Sequence, residues 1–146
     1  MGMKGWSHTR RYNPRVRGAT KTVVGGIQFD SKLEAHMYSK LCRLDWLVVK
    51  RQHKFVLQPS FRSTVTGKHI REIAWVVDFY LPQIGMIIDP KGFATEMAKV
   101  KIKMMQYAIF KELYPIDHII LPSNQRECDA ALSHVIMEGG KAGLLP

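Results

Sequence analysis

The stretch EIAWVVDFYLPQIGMIIDPKG, Glu72 to Gly92, decides how this chain is read. Two runs rich in β-branched and aromatic residues flank Pro82-Gln83-Ile84-Gly85, a turn-like tetrad with proline early and glycine last, and this predicts an antiparallel hairpin. Residues equidistant from the turn centre, between Gln83 and Ile84, oppose each other, and Asp78 and Asp89 are such a pair. Opposed Cβ atoms sit about 5 Å apart. Lys91, two residues beyond Asp89, projects from the same face as a diagonal neighbour. Three charges therefore converge on one patch.

Apolar residues surround that patch. Ile73, Trp75, Val77 and Phe79 alternate with Ala74, Val76 and Tyr80, and Met86, Ile87 and Ile88 run on continuously. Such strands belong in a sheet covered on both sides. Two carboxylates facing each other there repel, and one pKa rises, unless a cation lies between them. A hard divalent cation such as Mg²⁺ takes oxygen ligands, often one or two protein carboxylates plus waters and substrate phosphates. Lys91 stands where an ammonium meets a water or a phosphate oxygen. The same residues allow a plainer arrangement, in which Asp78 ends its strand toward solvent and Asp89-Pro90-Lys91-Gly92 is a turn carrying a weak surface pair. A one-residue slip in register separates the two arrangements, because it sends the aspartates to opposite faces.

The chain has 146 residues, 46% of them apolar, enough for one globular domain with a sizeable core. Its net charge of +10 points to polyanionic partners, nucleic acid before an anionic membrane surface. No apolar run approaches the roughly 20 residues needed to cross a bilayer, and the basic N-terminus has no apolar segment after it, so a cytoplasmic location without a signal peptide or membrane span is expected. Cys42 and Cys128 form no CxxC and read as reduced core or helix residues. The six histidines show no ligand spacing, and none is assigned to metal.

Residues 1–26 hold Lys4, Arg10, Arg11, Arg15, Arg17 and Lys21 and no acidic residue, so residues 1–21 read as a flexible basic arm that tracks phosphates, ahead of a single domain over 22–146. A first helix is expected over about 31–44, with Leu33, Met37, Leu41 and Leu44 in helical spacing, and Ser31 and Glu34 match a capping box. Phe55 to Phe61 reads as a strand, followed by a polar link from Thr64 to His69. Thr95 to about Leu113 is helical, with Met97, Val100, Met104 and Ala108 as the apolar stripe and Lys99, Lys101 and Lys103 on other positions. Lysines near a helix start oppose its dipole, which hints at an external anion and makes Lys99 and Lys103 candidate phosphate contacts, although a solvated face is the commoner explanation of such lysines. His118 to Leu121 forms a short buried strand, and Asn124 to Glu138 a last helix with a loose Gly-rich tail. The order arm, α, β, β-hairpin, α, β, α is an α/β layered architecture.

A helix bearing a glutamate, a hairpin with aspartate on one strand and Asp-x-Lys on the next, and then a helix, resembles the PD-(D/E)XK nuclease superfamily. The chain is similar there to small phage-encoded endonucleases, through Phe29-Asp30-Ser31-Lys32-Leu33-Glu34-Ala35, Val77-Asp78-Phe79 and Asp89-Pro90-Lys91-Gly92. The resemblance covers roughly residues 22–121. It implies a restriction-endonuclease-like core, a mixed central sheet flanked by helices, and Mg²⁺-dependent (or Mn²⁺-dependent) hydrolysis of phosphodiesters in DNA. Asp78 and Asp89 would then hold the ion, Glu34 would complete the coordination, and Lys91 would position or activate water. Glu34 can serve both as cap and as ligand.

By analogy, branched DNA such as a four-way (Holliday) junction, or another replication or recombination intermediate, is the expected substrate, a homodimer the expected assembly, and the host cytoplasm the expected compartment. Two departures qualify the likeness. Val77 stands where the superfamily pattern has proline. Pro90 occupies the middle of Asp-x-Lys and cannot donate to a ladder, so the strand either bulges there or ends at Asp89. A noncatalytic nucleic-acid-binding protein that keeps the fold without the chemistry is the alternative, with Pro90 in its favour. An RNA-binding role leaves the opposed aspartates without a purpose.

Overall fold

The computed structural model describes residues 21–90 and 95–146. Gly25 and Gly26, both at positive φ, turn a short hairpin of β1 (Thr22–Val24) and β2 (Ile27–Phe29), the backbone that a two-residue hairpin loop demands. Ser31 caps α1 (Lys32–Leu41), its side chain accepting from the Glu34 N–H at 3.1 Å, so the helix starts where the capping pattern places it. It ends at Leu41, short of the expected Leu44.

Next come β3 (Lys50–Gln58), a small hairpin of β4 (Phe61–Arg62) and β5 (His69–Ile70), and β6 (Ile73–Leu81). A single 3₁₀ turn, Pro82–Ile84, leads into β7 (Met86–Ile88), followed by α2 (Glu96–Phe110), β8 (His118–Ile120) and α3 (Gln125–Lys141).

The central sheet has the order β3-β6-β7-β8. The first two pairings are antiparallel and the last, β7 with β8, is parallel. The chain is thus a mixed α/β fold with a mixed central sheet between helices, as the sequence leads one to expect. On one face, α1 and α3 bury Met37, Leu41, Cys128 and Val135 against Phe79, Leu81, Met86 and Ile88. On the other, Met105 of α2 packs with Phe55, Trp75, Val77, Tyr80 and Ile87. Both cysteines are free, and no helix among the described residues is long and apolar enough to cross a membrane.

Four expectations need correction. The strand expected to begin at Phe55 begins at Lys50; Lys50-Arg51-Gln52-His53-Lys54 is too polar to announce a strand, yet it runs as the edge of the sheet. The stripe on α2 is rotated: Met97 and Val100 are exposed, while Met105 and Ala108 are buried with Ile102 and Ile109 beside them. That helix carries apolar residues on several faces, so spacing alone does not choose among them. Val76 is 46% exposed, so only the end of β6 nearer the turn is covered on both sides. Gly139 and Gly140 continue α3 instead of starting a loose tail. A Cβ on Gly139 would lie 2.3 Å from the Trp46 ring, so glycine lets the indole lie against the helix.

Candidate active site

The hairpin register is the one inferred from the turn. Leu81 pairs with Met86, Tyr80 with Ile87 and Phe79 with Ile88, which brings Asp78 opposite Asp89 one step further on. Gly85 makes the turn possible: its φ is 55°, and a Cβ there would come within 2.9 Å of the Pro115 carbonyl oxygen. β7 ends at Ile88, so Pro90 lies beyond the strand and no bulge is required. The Asp89 N–H still donates to the Ile120 carbonyl at 3.0 Å, anchoring the residue to β8. Its side chain is fully buried, and Oδ2 accepts from the Trp75 indole N–H at 3.1 Å. The plainer arrangement, with Asp89 in an exposed turn, is therefore not the one adopted.

Asp78 sits where the sheet changes face. Trp75 and Val77 pack toward α2 with Tyr80, whereas Phe79 and Leu81 pack toward α1 and α3, so the alternation of β6 reverses at Asp78. β3 reverses at the same level. Arg51 lies on the Phe29 and Tyr38 rings, 4.5 and 5.3 Å from their centroids, while His53 lies on Phe55 and Tyr80. Between them, Gln52 adopts φ 47°, a left-handed backbone that a non-glycine residue rarely takes without a constraint. The constraint is visible: the Gln52 amide donates to Asp78 Oδ1 at 3.0 Å and makes a longer contact, 3.5 Å, to Glu34 Oε1. One amide thus bridges the carboxylates of α1 and β6.

The electrostatics follow from this convergence. Burial, then the charge of Asp89 and a hydrogen bond with it, and then the charge of Glu34 push the Asp78 carboxyl up to about 8, against a smaller downward pull from Gln52. Without a cation, the Asp78 carboxyl is therefore held protonated at neutral pH. Burial also raises Glu34; Arg51 pulls it back down, while Asp30 and Asp89 push it up and a backbone hydrogen bond at Asp30 lowers it. Among the described residues, Arg51 is the cation whose charge lowers Glu34. A site that must store a proton to tolerate its own charge accepts a divalent cation in the proton's place. The donor set is all hard oxygen, which fits Mg²⁺ or Mn²⁺ rather than a soft metal.

Glu34, Asp78 and Asp89 are brought together. Lys91, Arg10, Arg11, Arg15 and Arg17 lie outside the described residues. Lys21 and Lys103 are exposed, and Lys99 pairs with Glu96 at 2.7 Å on the surface of α2, so part of its charge is answered locally. Three participants escape a reading of the sequence: Gln52, Arg51 and Trp75. The first two lie in the polar run at the start of β3, which carries no strand pattern, and Trp75 reads as core, where its N–H has no foreseeable acceptor.

A family described as proteins of unknown function, DUF1064, matches residues 15–120. The chain belongs to that family. The matched segment contains Glu34, Gln52, Trp75, Asp78 and Asp89 and ends with β8; α3 lies beyond it. No curated protein and no solved structure matches the chain.

Proposed function

We propose that this DUF1064 member is a metal-dependent DNA endonuclease with a restriction-endonuclease-like core. The observation that carries the reading is the convergence of Glu34 and Asp89, both buried, with the half-buried Asp78, whose carboxyl is held up at about 8. The mixed sheet, with Asp78 on its second strand and Asp89 just past the third, supports the reading, as does the excess of positive charge.

Asp78, Asp89 and Glu34 would hold Mg²⁺ or Mn²⁺. Such an ion, when bound, supplies charge neutralisation at the phosphodiester and a lower pKa for the attacking water. The chain's own residues do the rest. Gln52 fixes the rotamers of Asp78 and Glu34, and the Trp75 N–H and the β8 ladder fix Asp89. Arg51, held against Phe29 and Tyr38, sets a positive charge beside Glu34. Lys91, two residues past Asp89, is proposed to add positive charge at the scissile phosphate, and Lys21, Lys99, Lys103 and the arginines of residues 1–20 to bind the DNA backbone. Branched DNA, including four-way junctions, is the proposed substrate. Symmetric cutting of two strands would require a homodimer with one centre for each.

The test is cleavage of labelled linear duplex, single-stranded and four-way-junction DNA with Mg²⁺, Mn²⁺ or EDTA. The expected result is metal-dependent cutting, strongest on the junction. Binding without cutting on all three substrates would favour the noncatalytic nucleic-acid-binding reading.

A further inference from the structure

At the other end of β7 from the carboxylates, β8 and α3 form a second cluster of different chemistry. His118 opens β8 and pairs with Met86. His134 and Glu138 stand one turn apart on α3, four residues being the spacing that puts two side chains on one helical face. His118 Nε2 lies 3.6 Å from Glu138 Oε2, and His134 Nε2 lies 3.6 Å from Glu138 Oε1. One ligand atom from each of the three residues falls within 4.8 Å of the others. In a tetrahedral site with bonds of about 2.0–2.2 Å, ligand atoms sit roughly 3.3 Å apart. The three groups therefore need to close only modestly to reach a common ion.

We propose that His118, His134 and Glu138 form a second metal site, for a borderline transition-metal dication of the Zn²⁺ type. Two imidazoles and one carboxylate are a donor set that Zn²⁺ takes readily and Mg²⁺ does not, which separates this site chemically from the all-oxygen centre. The group that opposes occupancy is Lys141, whose ammonium donates to Glu138 Oε1 at 2.7 Å. That side chain is 63% exposed and swings into solvent without disturbing the core. Glu138 is only 16% exposed, so its carboxylate is already held in place beside the two rings, which lie 4.7 Å apart. Loading ties α3 to β8, the strand whose Ile120 carbonyl anchors the backbone of Asp89.

The experiment uses the full chain, stripped with EDTA and dialysed, then titrated with Zn²⁺ against a chromophoric chelator while the melting midpoint is followed. One equivalent of Zn²⁺ is expected, with a rise in the midpoint by mass action. Both effects should be lost in His118→Gln and in His134→Gln. They should persist in Asp89→Asn, which alters only the carboxylate centre, and in Lys141→Met, which removes the competing cation. No uptake by the wild type, uptake unchanged in both histidine variants, or loss of uptake in Asp89→Asn would each overturn the proposal. Co²⁺ gives a reading independent of any variant. The intense visible absorption of a low-coordinate nitrogen-containing site is expected, and only the weak spectrum of a six-oxygen site would overturn it. Because these readouts are uptake, melting and colour rather than DNA cleavage, their failure would leave the nuclease reading standing, and its failure would leave them standing.

Discussion

Asp78 is the residue on which most of the site's energetics turn. Its folded pKa of about 8 lies above the ordinary value of 3.8, so the native state binds a proton more tightly than the unfolded chain does. The stabilisation this gives is fully present below about pH 4, where both states are protonated, and is lost between the two pKa values. Stability of the metal-free protein should therefore fall as pH rises from about 4 to about 8, by at most about 1.4 kcal/mol per pH unit. Urea midpoints in EDTA at pH 5 and pH 8.5 check this: the wild type should lose stability and Asp78→Asn should lose much less. Mg²⁺ or Mn²⁺ should remove the difference, since the ion replaces the proton. Gln52 gives a second expectation. Gln52→Gly relieves the left-handed backbone but removes the bridge to Asp78 and Glu34, so cleavage should fall by about 10- to 100-fold, as for other residues that orient metal ligands, while the urea midpoint stays close to that of the wild type. The carboxylates were legible in the sequence because like charges opposed in an apolar hairpin need a cause. Gln52 and Arg51 were not, since an amide and a guanidinium in a polar run carry no such contradiction.

Among the elements, the hairpin of β6 and β7 was the most legible, register included, because a Pro-x-x-Gly turn between two β-branched runs fixes which residues oppose. The turn depends on Gly85, whose left-handed φ and close approach to Pro115 and Asp117 leave no room for a Cβ. Gly85→Ala should lower stability by about 1–2 kcal/mol, read as a urea-midpoint shift without change in the denaturant slope. The α2 stripe and the start of β3 are not legible, for two physical reasons. Periodicity picks out a buried face only when the apolar residues keep to it, and α2 carries exposed Met97, Val100, Tyr107 and Phe110 as well as its buried residues, whereas β3 is an edge strand whose first half is too polar to show an apolar alternation. β1 with β2 and β4 with β5 are two to three residues per strand, too short to show any alternation.

For the whole molecule, the layered α/β order was readable from the alternation of helical and strand patterns, and the net charge of +10 from composition. What composition could not show is how that charge meets the site, because Arg51 is folded into it while Lys99 is partly answered by Glu96. If the arm binds DNA, deleting residues 1–20 should weaken binding and reduce the salt slope by about 0.9 for each phosphate that the arm neutralises; an unchanged slope in fluorescence anisotropy would leave the arm no part in binding. The joining of His118 with His134 and Glu138 is likewise a property of the fold, since sixteen positions of chain separate the two histidines and only the packing of α3 on β8 closes the gap.

The central claim, that Asp78, Asp89 and Glu34 hold the ion that makes this chain a DNA nuclease, is tested most directly by single-turnover cleavage of a four-way junction by the wild type and Asp89→Asn, with DNA binding followed in the same samples. The account predicts cutting by the wild type in Mg²⁺ or Mn²⁺ and none in EDTA, and a variant that binds at least as tightly yet does not cut. Cleavage by Asp89→Asn at the wild-type rate, or by either protein in EDTA, would contradict it.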